Sequence, residues 1–290
     1  VRAVTGLRDG VQTRLFVAGR EAGAAVDTIY EIGLQNMVVG TVLDVMSGPV
    51  TGVEARDTAL GPRLAAASAM RAYNINLQTL DPNDTVSQPA TPTDAVPDPG
   101  GVAVLLVDGT NTIDSWDGTN FVADDVGPGL VALDAASNGR VAAGPGICFF
   151  PGTGCEPQPA GDSVVDVWTG TGDEAFTVSS AGLVKLVRRD GFGEAAARLP
   201  LDGGAVALIR AKGHQIVADT VFGVWVGGSR DGAGYLAHGV RNIDDPSALA
   251  FVEIDLSGFG PIVDMWAENR AKGRLFAALS DGRVIAVTAP

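Results

Sequence analysis

Arg270-Ala271-Lys272-Gly273-Arg274-Leu275-Phe276-Ala277-Ala278 reads as a tight glycine turn opening into a β-rich run that ends in small residues. The same phrase stands at Arg210-Ala211-Lys212-Gly213-His214-Gln215-Ile216-Val217-Ala218 and at Ala135-Ala136-Ser137-Asn138-Gly139-Arg140-Val141-Ala142-Ala143. Looser copies are Arg14-Leu15-Phe16-Val17-Ala18 and Arg63-Leu64-Ala65-Ala66-Ala67. A supersecondary unit that recurs along one chain marks repeat architecture, and this unit is a β-hairpin.

A second phrase places the strands. Thr41-Val42-Leu43-Asp44-Val45-Met46, Ser163-Val164-Val165-Asp166-Val167-Trp168 and Pro261-Ile262-Val263-Asp264-Met265-Trp266 share an apolar-apolar-Asp-apolar-large order. Leu130-Val131-Ala132-Leu133-Asp134 and Ala205-Val206-Ala207-Leu208-Ile209 are degenerate copies. Continuous rather than alternating apolar character suits a strand covered on both faces, the innermost strand of a blade. Asp44 and Asp166 lie 122 residues apart, and Asp166 and Asp264 lie 98 apart. Four-stranded units of about 40 to 50 residues fit both intervals, so the chain holds seven.

The expected blades are residues 1–40, 41–84, 85–127, 128–161, 162–203, 204–258 and 259–290, within one all-β domain. Seven Asp-Gly pairs, led by Asp9, Asp108, Asp117, Asp190, Asp202, Asp231 and Asp281, supply turn chemistry. The seventh blade is short, so its outer strand is expected from the N-terminus, which removes the open sheet edges. Residues 81–101 carry five prolines and read as a long surface loop. Residues 227–248, rich in Gly and Asp, read as an insertion.

Spacing and inner strand together resemble the seven-bladed β-propellers of the WD40-like and YVTN-like kind, over nearly the whole chain. The Gly-His and Trp-Asp pairs of WD repeats do not recur at the blade spacing. The resemblance therefore implies the propeller fold and no particular function, since propellers host unrelated activities.

Hydrophobic residues make up 46% of the chain and charged residues 19%, a balance that builds a core rather than a disordered segment. The formal net charge is −14, which repels phosphate backbones, so nucleic acid is not an expected partner. There is no apolar stretch long enough for a membrane-spanning helix. Cys148 and Cys155 flank Pro151-Gly152-Thr153-Gly154 and are expected to form a disulfide. A disulfide implies an oxidising compartment: extracellular, periplasmic or cell surface. The chain opens at Val1 without a signal-like segment, as expected of a processed or excised domain.

Asp44, Asp134, Asp166 and Asp264 leave two readings open. Converging, they would form an oxygen ring suited to Ca²⁺ and resemble lactonase or esterase propellers, in which the cation polarises a carbonyl or phosphoryl oxygen. Diverging, each would bond backbone amides of the neighbouring blade and lock the repeat. Hairpin turns account for Asp108–Asp114 and Asp114–Asn120, which lack the spacing of a calcium loop. His214 and His238 read as surface turn residues with no nucleophile beside them. Of the four tryptophans, Trp116 among polar neighbours is the candidate binding contact, and core packing is expected of the others. No nucleophile elbow or phosphate loop is present. The expectation is a non-enzymatic scaffold whose loops bind another protein or a surface polymer, within a larger assembly. A Ca²⁺-assisted hydrolase is the alternative.

Overall fold

The computed structural model describes residues 1–9, 12–34, 38–45, 48–69, 71–80, 82–87, 91–136, 139–152, 155–157, 162–170, 173–189, 195–217, 221–241, 249–270 and 273–290. Every regular element among them is a strand, and the strands form seven antiparallel sheets in chain order. The turn residues Ser137, Asn138, Thr153, Gly154, Thr171, Gly172 and Lys272, the turn at Asp190 and the segment 242–248 lie outside the described residues.

The chain divides into two compact units, residues 1–126 and 127–290. In the first, β1 (Ala3–Asp9), β2 (Gln12–Gly19), β3 (Asp27–Gly33) and β4 (Val38–Val45) form one meander. Next come β5 (Val50–Thr58), β6 (Gly61–Ser68), β7 (Arg71–Asn76) and β8 (Pro82–Ser87), then β9 (Asp94–Pro97), β10 (Val104–Val107), β11 (Thr112–Trp116) and β12 (Phe121–Val126). The core lies between faces of consecutive sheets: Phe16, Ile29, Leu64 and Ile75 pack between the first two, and Ala65, Val104 and Trp116 between the second and third. Small residues ending the second strand, Ala65-Ala66-Ala67, are wholly buried and let the sheets approach closely.

The second unit repeats the pattern. Its sheets are β13 (Ala132–Ala136), β14 (Gly139–Ala143), β15 (Gly146–Phe150) and β16 (Cys155–Pro157), then β17 (Val164–Thr169), β18 (Glu174–Ser179), β19 (Leu183–Arg188) and β20 (Ala195–Arg198). After them come β21 (Val206–Val217), β22 (Val221–Arg230), β23 (Ala233–Arg241) and β24 (Leu249–Ile254), and last β25 (Ile262–Ala267), β26 (Arg274–Leu279) and β27 (Val284–Thr288). Val141, Phe149 and Val167 fill the seam between the first two of these sheets, Phe176, Leu186, Val224 and Tyr235 the next, and Trp225, Met265 and Leu275 the last.

Four expectations are corrected here. The phrase around Asp44 belongs to β4, the fourth strand of the first sheet, where it pairs with β3; the pattern alone does not separate a first strand from a fourth. Residues 81–101 are not a loop throughout: β8 and β9 lie within them, β8 pairing with β7 and β9 with β10. Gly227 to Gly234 is no insertion but the hairpin of β22 and β23, and the extra length of this sheet comes from long strands. The N-terminal strand β1, expected to complete the last blade, pairs with β2 along its whole length, and the last sheet has three strands among the described residues.

Candidate functional site

The first strands of three of the four sheets in the second unit, β17, β21 and β25, carry an irregularity that shapes a cavity. Pairing skips one residue between Val164 and Asp166, between Leu208 and Arg210, and between Ile262 and Asp264. Such a bulge leaves one residue out of the ladder and turns its side chain. The skipped residues are Val165, Ile209 and Val263, and with Val131 they line a cavity of about 530 Å³ whose remaining wall is Val164, Leu208, Arg210 and Ile262. β-branched residues have restricted rotamers, so this wall is stiff as well as apolar. A similar skip at Thr51 on β5 shows that the bulge belongs to the repeat.

Arg210 is the one charged group in the lining. Its Nε donates to Asp264 Oδ1 at 2.7 Å, and its Nη1 donates to the carbonyl of Ile209 at 3.3 Å. None of the lining residues is a nucleophile or a general base. The arrangement offers an open, largely aliphatic concavity that an aliphatic or aromatic group can contact.

Three of the aspartates expected to converge, Asp134, Asp166 and Asp264, instead join neighbouring sheets. Asp134 Oδ2 accepts from the Thr169 amide at 2.7 Å, and Asp166 Oδ2 from the Ala211 amide at 2.8 Å. Asp264 faces Arg210; Asp44 pairs with Thr28 on β3 as part of β4, and its side chain lies outside the described residues. No three acidic, histidine or cysteine side chains among the described residues are close enough together to hold a metal ion. Asp134, Asp166 and Asp264 are each nearly wholly buried, a placement that costs several kcal/mol unless the charge is bonded. Two further residues do the same work unannounced by the sequence. Thr5 Oγ1 on β1 accepts from the Ala55 amide at 2.9 Å, and Asp27 Oδ2 on β3 accepts from the Val50 amide at 2.9 Å while pairing with Arg2 and Arg20.

Trp116 is wholly buried and packs against Phe121 at 6.3 Å between ring centroids, so it is a core residue rather than a binding contact. Its polar sequence neighbours belong to the hairpin turn Asp117-Gly118 that follows, where Asp117 accepts from the amides of Thr119 and Asn120. Cys148 and Cys155 are disulfide-bonded and stand directly opposite one another on β15 and β16.

The histidines are not surface turn residues. His214 on β21 and His238 on β23 are both buried, and their Nε2 atoms meet at 2.9 Å across the intervening strand. That approach is possible because His214 lies opposite Gly223, whose missing side chain leaves room for the imidazole. Trp225, opposite His238, packs over that ring with centroids 4.3 Å apart. Burial holds His214 below the usual histidine range; burial, followed by the neighbouring His214, brings His238 down to about 4. The signal was the glycine at 223, but it takes the three-strand register to read it.

No protein-family model and no curated protein matches this chain. Solved structures do match. One chain of a structure described as the mitotic checkpoint complex aligns with a TM-score of 0.72 at 10% identity, covering 100% of this chain and 87% of that one. The WD40 β-propeller domain of Doa1 aligns at 0.65 and 13% identity, covering 100% and 92%. Hydrazine synthase of Kuenenia stuttgartiensis aligns at 0.68 and 13% identity, covering 99% and 95%. At this identity the likeness establishes the fold, a seven-bladed β-propeller, and leaves the activity to be argued from the site.

Proposed function

We propose that this chain is a non-enzymatic binding module, a rigid β-propeller scaffold that receives a partner protein or surface polymer at its first-strand cavity and surrounding loops. One observation carries the reading: the cavity wall is aliphatic, while Asp134, Asp166 and Asp264 bond other sheets or Arg210. Rigid scaffolds concentrate recognition in the loops they display, and an apolar concavity with one polar group is a common binding geometry. The WD40 propeller and checkpoint-complex likenesses are consistent with a scaffold in an assembly. The Cys148–Cys155 bond supports placement outside the reducing cytosol, in an extracellular or cell-envelope compartment.

The test is selection of displayed peptides on the wild-type chain, followed by binding of the enriched peptides to V165D/I209D. Enriched sequences with a shared apolar anchor, bound at least about tenfold more weakly by the variant, support the cavity as the receiving site. Equal binding to both chains would move the site elsewhere. Compartment is read separately, by cell fractionation and by labelling of thiols before and after reduction.

A further inference from the structure

Six of the sheets have four strands each, and the last has three, β25 to β27. Among the described residues no strand pairs with the outer edge of β27. Burial reports the difference. The third strands of the other sheets, β3, β7, β11, β15, β19 and β23, each hold at least two buried residues. β27, the third strand of its own sheet, holds none: Ala286 and Thr288 are exposed, and Val284, Ile285 and Val287 are half-buried.

The edge is also unguarded. An outer strand offers a row of backbone N–H and C=O groups to any extended chain, and a charge or a proline on it discourages that pairing. The other outer strands all carry one: Asp44 on β4, Pro82 on β8, Asp124 on β12, Glu156 on β16, Arg198 on β20 and Glu253 on β24. Val284-Ile285-Ala286-Val287-Thr288 carries neither.

Register decides which backbone groups point outward. Leu279 N–H donates to the Arg283 carbonyl at 2.9 Å, which marks that pair as hydrogen-bonded. Hydrogen-bonded and non-bonded pairs alternate along an antiparallel ladder, so Ile285 and Val287, opposite Ala277 and Leu275, bond back to β26. Val284, Ala286 and Thr288 then turn their N–H and C=O groups outward. The side chains of Ile285 and Val287 join the seam with the preceding sheet, as do Ile254 and Phe259. In two earlier seams the fourth strand of the later sheet contributes as well, through Phe121 of β12 and through Leu249 and Phe251 of β24. The last seam has no such contribution among the described residues.

We infer that β27 is a receiving edge for a partner protein: an extended segment pairs antiparallel with it as a fourth strand, apolar opposite Ile285 and Val287 and basic after the apolar run. In this mode of recognition main-chain hydrogen bonds supply affinity and alternate side chains supply specificity. β1 does not take the place, being paired with β2 along its whole length. Charge disfavours a second copy, since each chain carries −14. The basic flank answers two exposed carboxylates at the start of β27, where an antiparallel segment ends. Asp281 precedes the strand, and Asp255 belongs to the loop whose Phe259 ring lies 5.0 Å from the Arg283 guanidinium. Hydrogen bonds from Arg283 bring Asp281 down to about 2, and the Ser257 amide holds Asp255 below the usual carboxylate range, so both are ionised at neutral pH.

The probe is a synthetic peptide with β24's own sequence, Leu249 to Ile254, followed by two lysines. Its binding is measured on the wild type and on A286P, together with residue-resolved amide exchange. Ala286 N–H points outward, so proline there removes a donor to the newcomer and none to β26. The peptide is expected to slow exchange at Val284, Ala286 and Thr288, while Ile285 and Val287 are slow already in the free chain. A286P is expected to bind at least about tenfold more weakly. V165D/I209D should bind the peptide as the wild type does, which separates this edge from the first-strand cavity. Equal binding to A286P, protection confined to other strands, or no protection at about 1 mM peptide overturns the inference. So does dimerisation of the peptide-free chain that A286P abolishes, which would give the edge to a second copy. If A286P does not fold, the wild-type exchange pattern decides, with the F251P form of the peptide expected to give no protection.

Discussion

Replacing Asp134 by Ala strips the Thr169 amide of its acceptor inside a buried seam. Leaving one such donor unsatisfied costs about 1–3 kcal/mol, so D134A is expected to lower the unfolding free energy by that amount, read as a lower urea midpoint without a change in slope. D166A should behave alike, because it orphans the Ala211 amide. In both variants the loss should be the same with added Ca²⁺ and with a chelator. A wild-type melt that falls on chelation, with D166A insensitive to it, would instead restore the carboxylate-ring reading. These aspartates were legible as a recurring phrase, but the sequence does not say where their oxygens point, because the amides they meet belong to the following sheet. Thr5 shows the limit: a hydroxyl does on β1 what a carboxylate does on β13, and nothing in Ala3-Val4-Thr5-Gly6-Leu7 announces it.

Among elements, hairpins were the most readable. Asp231-Gly232 places both residues at positive φ, 48° and 84°, as the mirror-image turn between β22 and β23 requires. Other Asp-Gly pairs, such as Asp281-Gly282, put only the glycine there. Strand position within a sheet was less readable: β4 carries the same apolar-Asp phrase as β17 and β25 yet closes its sheet rather than opening it. Residues 81–101 hid two short strands because their prolines sit at strand ends, as at Pro82 and Pro97, where a missing N–H is tolerated. Gly213 on β21 gives a sharp test, since the Trp168 ring from the preceding sheet fills the space its Cβ would need. G213V is expected to destabilise by about 1–3 kcal/mol through overpacking, measured by denaturant unfolding. The Cys148–Cys155 bond closes a loop with a sequence separation of 7 and ties the three-residue strand β16 to β15. Its replacement by serines should cost about 2–3 kcal/mol, read as a lower melting temperature that a reducing agent reproduces in the wild type and leaves unchanged in the variant.

For the molecule as a whole, composition bounds colloidal behaviour rather than partner identity. With a net charge of −14 and a sequence pI near 4.4, copies of the chain repel one another at neutral pH. Solubility is expected to pass through a minimum close to pH 4.4 and to recover on either side, a profile that turbidity against pH will show. The seven-bladed fold followed from repeat spacing, because spacing reports on the chain's own period; the expected limits at 40/41 and 84/85 fall inside β4 and β8. The cavity did not follow, because its wall is assembled from two or three residues on each of β17, β21 and β25, with Val131 from just before β13. Val165, Ile209 and Val263 take no place in the cross-strand register of their first strands, so their identity is uncoupled from the pairing that holds each blade. A lineage, or a library, can rewrite those positions and alter what the cavity admits while the repeat stays intact. On the proposed reading, recognition in this architecture is a set of exchangeable letters written onto a fixed frame.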